Sequence, residues 1–231
     1  MIYFLAACGV LLSIVSLTKQ LTAEQAAVSG RTGAQILVLD AGHGGEDGGA
    51  VSVSGVAESG INLAIVLKID ALAGLYGVPV VLTRTEDISL ADDAAATLKE
   101  RKRSDLYNRV ALVNETPNAC LLSIHQNNYT SSAVSGAQVF YRNTEEGKTW
   151  AVLTQSALRE AIDPENDRIA TQIPDSVYLL NHVTCPAILV ECGFLSNPEE
   201  DQLLQSNAYQ SSLAATVFSA YLQYFIGEVS I

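Results

Sequence analysis

From Gln35 onward, short runs of apolar residues alternate with longer periodic segments, and this alternation constrains the fold more than any other feature of the chain. Short uninterrupted apolar runs are typical of strands that are buried on both faces, and the longer segments have the length of helices. Strands that alternate with helices form βαβ units. The sequence therefore predicts an α/β fold: a single domain with a mostly parallel twisted sheet of about six strands and helices on both faces.

The individual elements follow from the same pattern. Strands are predicted at 36–40, 78–83, 120–124, 136–141 and 187–191. Helices are predicted over 59–75, 94–115, 148–161 and 206–225, and the polar stretch 163–175 is predicted to be a loop. No internal repeat and no second globular module is visible. We expect one folded domain over residues 35–227, followed by a short tail at 228–231.

The first 34 residues differ from the rest. Residues 2–17 carry no charge, and a polar, Ala-rich stretch separates them from the first predicted strand. The apolar segment is slightly short of the ~20 residues that span a bilayer comfortably, and it lacks the basic start of a standard signal peptide. We interpret residues 1–18 as a membrane anchor or uncleaved signal and residues 19–34 as a linker. This interpretation places the folded domain outside the cytoplasm, anchored to the membrane, or secreted if the segment is cleaved.

The charge balance narrows the choice of partners. The chain has 13 Lys plus Arg against 25 Asp plus Glu, a formal net charge of -12. Nucleic-acid binding needs a basic surface that neutralises phosphates, and nothing in the composition indicates one. An anionic polymer is also repelled at long range. We expect no nucleic-acid partner, and an acidic substrate would have to be held by local contacts.

The predicted domain has three cysteines, Cys120, Cys185 and Cys192, and none is arranged as in a zinc-binding CxxC pair. Cys120 and Cys185 lie five and six residues before His125 and Glu191, at the far ends of two predicted strands. If those strands are parallel neighbours, about 4.8 Å apart, the two thiols approach each other. A disulfide between them is then possible outside the cytoplasm.

Three polar residues lie at the ends of apolar strands. His43 follows the strand at 36–40, His125 follows the strand at 120–124, and Glu191 ends the last strand. Parallel strands deliver their carboxyl ends to one crevice, where the sites of open α/β sheets are built. A single histidine at a strand end is usually a hydrogen-bonded structural residue. Two at equivalent positions, in a chain with three histidines, indicate a shared cleft.

Two imidazoles suggest a zinc site. Catalytic zinc usually has three protein ligands and keeps one position open. Glu58 is the best-spaced third ligand, because it follows the Gly-rich turn after His43 and opens a helix; Asp40, Glu46 and Asp47 are alternatives. Glu58 can also be read as an acid that the helix dipole stabilises. The glycines of the turn would let the backbone pass close to a metal or substrate.

Glu191 is the candidate proton carrier. A carboxylate at the end of a buried strand beside a metal can take a proton from water and pass it to a leaving amine. Glu191 can also be read as an acid that caps the following turn at Gly193. Arg84 and Arg109 are candidates for pairing with site carboxylates or holding substrate, or for simple surface ion pairs. His182 has no partner at a metal-ligand spacing, and we expect a loop position.

Seven motifs together resemble a known family. They are DAGHGGEDGG, Glu58 with NL at 62 and 63, LTRTED, LYNRVALVNE, SIHQN, GAQVFY and PAILVECGFLSNPEE. In this order they resemble the zinc-dependent N-acetylmuramoyl-L-alanine amidases of bacterial cell walls, over most of the chain from Gln35 to Gly227. The chain also resembles the minimal, membrane-anchored, germination-specific members of that family that act in spore-cortex maturation, because it combines an apolar N-terminus with no separate wall-binding module.

The resemblance implies a site and a reaction. One Zn²⁺ per chain would be held by His43, Glu58 and His125, with Glu191 as the catalytic glutamate. The bond cut would join N-acetylmuramic acid to L-alanine of the peptidoglycan stem peptide. The residues expected to contact substrate or support the ligands are Asp47, Asn62, Arg84, Arg109 and Asn127. Ser59 and Asn181 stand where the family often has basic residues, which affects expected substrate contacts and not the metal.

Two other function classes fit part of this pattern. A zinc peptidase or carboxypeptidase could use the same ligand types on peptide bonds. A non-catalytic wall-binding morphogenesis factor could share the fold, but such a protein is expected to lack a ligand, and all are present here. An activating protein partner is also conceivable for the spore subtype, although no regulatory insertion is visible near the predicted site.

Overall fold

The computed structural model describes residues 35–225 and residue 227. The interpretations of residues 1–34 and 228–231 lie outside these residues. Six strands form one sheet: β1 (Ile36–Ala41), β2 (Val80–Leu82), β3 (Ala119–Asn127), β4 (Gln138–Tyr141), β5 (Thr171–Gln172) and β6 (Ala187–Phe194). Six helices accompany them: α1 (Glu58–Leu75), α2 (Leu98–Glu115), α3 (Glu145–Ala161), α4 (Tyr178–His182), α5 (Pro198–Gln205) and α6 (Asn207–Phe225). The predicted single α/β domain is confirmed.

The sheet has the strand order β2-β1-β3-β6-β4-β5. Four of the five pairings are parallel, and β4 runs antiparallel to β6. The three strands that carry the predicted site residues, β1, β3 and β6, are therefore adjacent and run in the same direction. Their carboxyl ends meet at the centre of one sheet edge, the usual position of a site in an open α/β sheet.

Two apolar cores cover the two faces of the sheet, as predicted. One core packs α1, α3, α5 and α6 against the sheet, with Trp150 and Tyr221 among its largest fully buried side chains. The other packs α2 and α4 against the opposite face through residues such as Val113 and Leu180. No described helix has the length and apolarity needed to cross a lipid bilayer.

Several boundaries differ from the prediction. The strand expected at 78–83 is reduced to Val80–Leu82, since Pro79 has no backbone N–H for the sheet. The expected loop 163–175 contains the short edge strand β5. The segment before the last helix forms α5, which begins with the cap Asn197 and with Pro198 in its first turn. His182, expected in a loop, is the last residue of the short helix α4.

The two candidate disulfide partners lie on opposite faces of the sheet. Strands β3 and β6 are parallel neighbours as expected, but Leu121 is paired with Ala187, so Cys120 and Cys185 are out of register by one residue. Successive side chains of a strand alternate between faces. Cys120 is therefore part of one core and Cys185 packs against the other. All three described cysteines are free thiols, and the possible disulfide is not formed.

Candidate metal centre and catalytic site

His43 lies in the turn that follows β1, in a backbone conformation that bends the chain sharply. Its φ angle is 62°, a left-handed value that non-glycine residues seldom adopt. Two contacts hold it: Nη2 of Arg109 donates to the carbonyl oxygen of His43 at 2.8 Å, and Nδ1 of the ring lies 3.1 Å from Oδ2 of Asp47. The second contact leaves Nε2 facing Glu58, with 3.3 Å between Nε2 and Oε2.

Glu58 is the first residue of α1 and is almost fully buried, with 3% exposure. Its Oε1 accepts from the backbone N–H of Gln126 at 3.0 Å and lies 3.0 Å from Nδ1 of His125. Its Oε2 accepts from the backbone N–H of Ala50 at 2.9 Å. These bonds place both carboxylate oxygens between the two imidazoles, a role that goes well beyond stabilising the start of a helix.

The three side chains form a compact set of donor atoms. One ligand atom each from His43, Glu58 and His125 can be chosen so that all three lie within 4.8 Å of one another. The two imidazole rings are 5.0 Å apart between centroids and nearly perpendicular. Two nitrogens and one carboxylate oxygen in this arrangement suit a divalent transition-metal ion and leave a coordination position open.

The electrostatics of the set favour a positive charge at its centre. Burial alone would lower the pKa of His43, but the Glu58 and Asp47 carboxylates raise it to about 9. Burial alone would raise the pKa of Glu58, but its bonds to His125 and His43 hold it far below its usual range. The carboxylate is therefore ionised at neutral pH. A bound metal cation would neutralise the Glu58 carboxylate in the same way as protons on the two imidazoles do.

Two glycines allow the backbone to lie close to the ligand side chains. A Cβ on Gly42 would lie 2.2 Å from Cε1 and Nε2 of His125, and a Cβ on Gly49 would lie 2.5 Å from Oε2 of Glu58. Real Cβ atoms essentially never approach other heavy atoms this closely. The Gly-rich turn thus lets the backbone pass directly against the ligand side chains, as the sequence predicted.

Asn62 and Arg84 support the ligands from inside the protein. Asn62 donates through Nδ2 to Oε1 of Glu58 and to the carbonyl oxygen of Gly42, both at 3.1 Å. Arg84 donates to the carbonyl oxygens of Ala41, Gly42, Ser59 and Glu86 at 2.8–3.1 Å. Arg84 therefore neither pairs with a carboxylate nor forms a surface ion pair; it secures the backbone of the ligand-bearing turn.

Arg109 forms a buried ion pair with Asp40 below the turn. Its Nη1 donates to Oδ1 of Asp40 at 2.5 Å, and its Nε donates to Oδ2 of Asp105 at 2.7 Å. Burial alone would raise the pKa of Asp40, but Arg109 and the hydroxyl of Ser123 hold it below its usual range. These partners occupy Asp40, and Glu46 is paired with the exposed Arg101. Neither carboxylate belongs to the donor set.

Glu191 faces the same cavity as the two histidines. It is the register partner of His125 on the neighbouring strand, and both line a cavity of about 290 Å³ that Arg109, Lys102 and Tyr178 also line. Its Oε2 is buried and has no hydrogen-bond partner among the described residues. Burial, with a contribution from Glu58, raises the pKa of Glu191 to about 7. A carboxyl group that titrates near neutrality can both accept and donate a proton.

Of two residues expected to contact substrate or support the ligands, Asp47 hydrogen-bonds to a ligand side chain and Asn127 does not, within the part of the chain that the structure describes. Asp47 links His43 to Nζ of Lys102, which lies 2.8 Å from its Oδ1. Asn127, by contrast, accepts through Oδ1 from the backbone N–H of Asn128, and within residues 35–225 its side chain makes no hydrogen bond to the ligand set. The register of β3 against β6 shifts between His125 and Asn127, so the two side chains do not follow the simple alternation of a regular strand.

Sequence reasoning missed other residues around the site. Gln126 bonds to Glu58 through its backbone and to Asn62 through its side chain. Its position directly after His125 was the only available signal. Lys102 and Tyr178 line the cavity but follow no strand end. Asn181 donates to two carbonyl oxygens around the start of α4, which suits a structural role.

A family model described as N-acetylmuramoyl-L-alanine amidase matches residues 37–222. The chain belongs to the N-acetylmuramoyl-L-alanine amidase family. It is an enzyme that hydrolyses the amide bond between N-acetylmuramic acid and L-alanine in peptidoglycan. The motifs of the sequence analysis had indicated this family, and that prediction is confirmed. The alternatives of a peptidase and of a non-catalytic wall-binding protein are thereby set aside.

Individual relatives agree with the family. The chain is 36% identical over 192 residues to the germination-specific N-acetylmuramoyl-L-alanine amidase of Bacillus subtilis, covering 83% of this chain and 80% of the relative. A structure of the CwlD amidase from Clostridioides difficile in complex with the GerS lipoprotein is similar with a TM-score of 0.79 at 35% identity, covering 82% and 98% of the two chains. An N-acetylmuramoyl-L-alanine amidase from Clostridium difficile 630 has a TM-score of 0.73 at 28% identity, covering 85% and 100%.

Proposed function

We propose that this amidase works with one zinc ion held by His43, Glu58 and His125, and that Glu191 is its catalytic proton carrier. One observation carries the proposal: two members of the only described donor set, His43 and His125, line the same cavity as Glu191, a buried carboxylate whose Oε2 has no partner among the described residues. When bound, zinc would polarise the scissile carbonyl and lower the pKa of water. The donor set suits that ion in both atom type and number.

Glu191 would move the proton during hydrolysis. Its pKa near 7 leaves a substantial carboxylate fraction at neutral pH, so Oε2 can take a proton from the water that attacks the amide carbonyl. The same oxygen then donates that proton to the nitrogen of L-alanine as the C–N bond breaks. Asp47 and Asn62 hold His43 and Glu58 in place during these steps.

The experiment is digestion of purified peptidoglycan by the full-length protein, with products identified by mass spectrometry. We expect stem peptides with a free N-terminal alanine, loss of their release with a chelator, and recovery with added zinc. Glu191→Gln should retain one equivalent of zinc and lose about a thousandfold or more in rate, while Glu160→Gln on the exposed side of α3 should behave like the wild type. Near-normal turnover by Glu191→Gln at equal zinc content would contradict its role. His125→Ala with a full equivalent of zinc would remove His125 from the ligand set.

The biological setting is also a proposal. The similarity to a germination-specific amidase supports a role in spore-cortex maturation. The complex of the similar CwlD amidase with a lipoprotein supports a protein partner for this chain as well. The uncharged segment within residues 1–18 supports an extracytoplasmic location with a membrane anchor. Fractionation of cells that express the full chain or a chain without residues 1–34 tests the anchor: only the full chain should be found with membranes.

A further inference from the structure

A second cavity lies next to the site along helix α2. It measures about 350 Å³ and is lined by Lys99, Lys102, Arg103, Leu106, Tyr107 and Tyr178. Three of these residues, Lys102, Leu106 and Tyr178, also line the cavity that contains His43, His125 and Glu191. The two cavities are therefore adjacent, and we call them together the groove along α2. A chain that leaves the reaction centre in this direction would reach the second cavity next.

One face of α2 forms a wall of this groove. Its five lining residues, at 99, 102, 103, 106 and 107, recur at intervals of three to four residues, and residues at such intervals lie on one face of a helix. Five of the 13 Lys and Arg residues of this strongly acidic chain lie on α2. Four of those five lie in its first two turns, where the helix dipole disfavours positive charge. Local helix stability therefore does not account for them.

Two of these cations are free to bind a ligand. Lys102 is paired with Asp47 and Arg101 with Glu46. Over residues 35–225, no carboxylate lies within 4.0 Å of the charged nitrogens of Lys99 or Arg103. Arg103 is held in position because its Nε donates to the hydroxyl of Tyr107 at 2.8 Å. Its guanidinium carbon also lies 5.0 Å from the centre of the Tyr107 ring.

Aromatic rings line the groove beside these cations. The rings of Tyr107 and Tyr178 lie 5.3 Å apart between centroids, and His182 stacks on Tyr178 at 3.8 Å. Such a wall can pack against the apolar parts of a peptide, while Lys99 and Arg103 face its charged groups. The combination suits an acidic peptide better than a neutral glycan, because a glycan without carboxylates would leave both cations unpaired.

We propose that the groove along α2 is the binding site for the acidic stem peptide, with Lys99 and Arg103 recognising a free carboxylate beyond the first alanine. The proposal rests on the proposed function, since it places the peptide on the leaving-group side of the same reaction centre. It also explains how a chain of net charge -12 holds an anionic substrate: the cations act at short range inside a groove and do not attract the polymer from a distance.

The test compares two preparations of purified peptidoglycan, one with free stem carboxylates and one in which carbodiimide and ammonia have converted them to carboxamides. Initial rates of the full-length, zinc-loaded enzyme are measured at subsaturating substrate. We expect the wild type to prefer the free carboxylates about tenfold, and Lys99→Gln or Arg103→Gln to lower this preference about threefold each. The double variant should have almost no preference. Lys148→Gln, which removes an exposed cation from α3 on the opposite face of the sheet, should keep the wild-type ratio.

Different outcomes separate the possible failures. If the wild type cuts neither preparation, the proposed function fails. If it cuts both at equal rates, or if the double variant keeps the wild-type preference, the groove does not recognise stem carboxylates. A double variant that keeps the preference but loses binding to phosphatidylglycerol vesicles would assign the cations to a membrane surface and would also overturn the proposal.

Discussion

Replacement of Gly42 by alanine tests whether close backbone approach holds the ligand set together. A Cβ at this position would lie 2.2 Å from two atoms of the His125 ring and 2.7 Å from Cδ2. Ordinary contact begins near 3.4 Å, so either the ring or the backbone must move by about 1 Å or more. Gly42 does not have a positive φ, so the substitution itself adds no backbone strain.

The ring must move, because the backbone of Gly42 is fixed. Its N–H donates to the carbonyl oxygen of Ile124 at 3.1 Å, and its own carbonyl oxygen accepts from Arg84 and Asn62, both at 3.1 Å. A ligand that is displaced by about 1 Å loses productive geometry, and misplacements of that size cost about 100-fold in rate. We therefore expect Gly42→Ala to lower both zinc affinity and amidase rate about 100-fold.

The assay measures zinc affinity by competition with a chelating dye, amidase rate on peptidoglycan and the free energy of unfolding in urea. Gly74→Ala is the matched control. Gly74 lies in α1 with no atom within 4 Å of an added Cβ, so alanine should raise stability by up to about 1 kcal/mol and leave zinc affinity unchanged. Wild-type zinc affinity and activity in a folded Gly42→Ala protein would refute the packing argument.

Two further predictions concern buried charges. The pKa of Glu191 is 4.5 when unperturbed and about 7 in the folded, metal-free protein. Between these pH values the folded state keeps a proton on Glu191 that the unfolded state has lost, so the free energy of unfolding falls as the pH rises from 4.5 to 7. A Gln at position 191 cannot ionise. In urea unfolding, the free energy of unfolding of Glu191→Gln should therefore exceed that of the metal-free wild type by an amount that grows by up to about 3 kcal/mol from pH 4.5 to 7 and then stays level. A difference that does not change with pH would show that Glu191 is not desolvated. Arg109→Met should destabilise the protein by about 3–5 kcal/mol because it leaves Asp40 buried without its partner, whereas Arg101→Gln at the exposed pair with Glu46 should change stability little. Equal urea midpoints for these two variants would contradict the difference in burial.

Some features of this fold are encoded in short stretches of sequence, and others depend on contacts between distant residues. Strands β1, β3 and β6 were recognisable because strands buried on both faces read as uninterrupted apolar runs. Their parallel arrangement made it possible to predict that His43, His125 and Glu191 share a cleft, since parallel strands end at the same sheet edge. The antiparallel direction of β4 had no such local signal, because an apolar strand reads the same in either direction.

The sequence by itself determined the fold class, the family and the residue types that gather at the carboxyl edge of the sheet. Spacing and the family resemblance favoured Glu58 over Asp40, but only the tertiary structure gives the physical reason, because Glu58 meets the imidazoles and Asp40 meets Arg109. It also showed that Arg84, expected either to contact substrate or to support the ligands, bonds to the backbone of the ligand-bearing turn. A register offset of one residue separates Cys120 from Cys185. These outcomes depend on contacts between residues far apart in the chain, and short-range patterns of apolar and polar residues carry no information about such pairings.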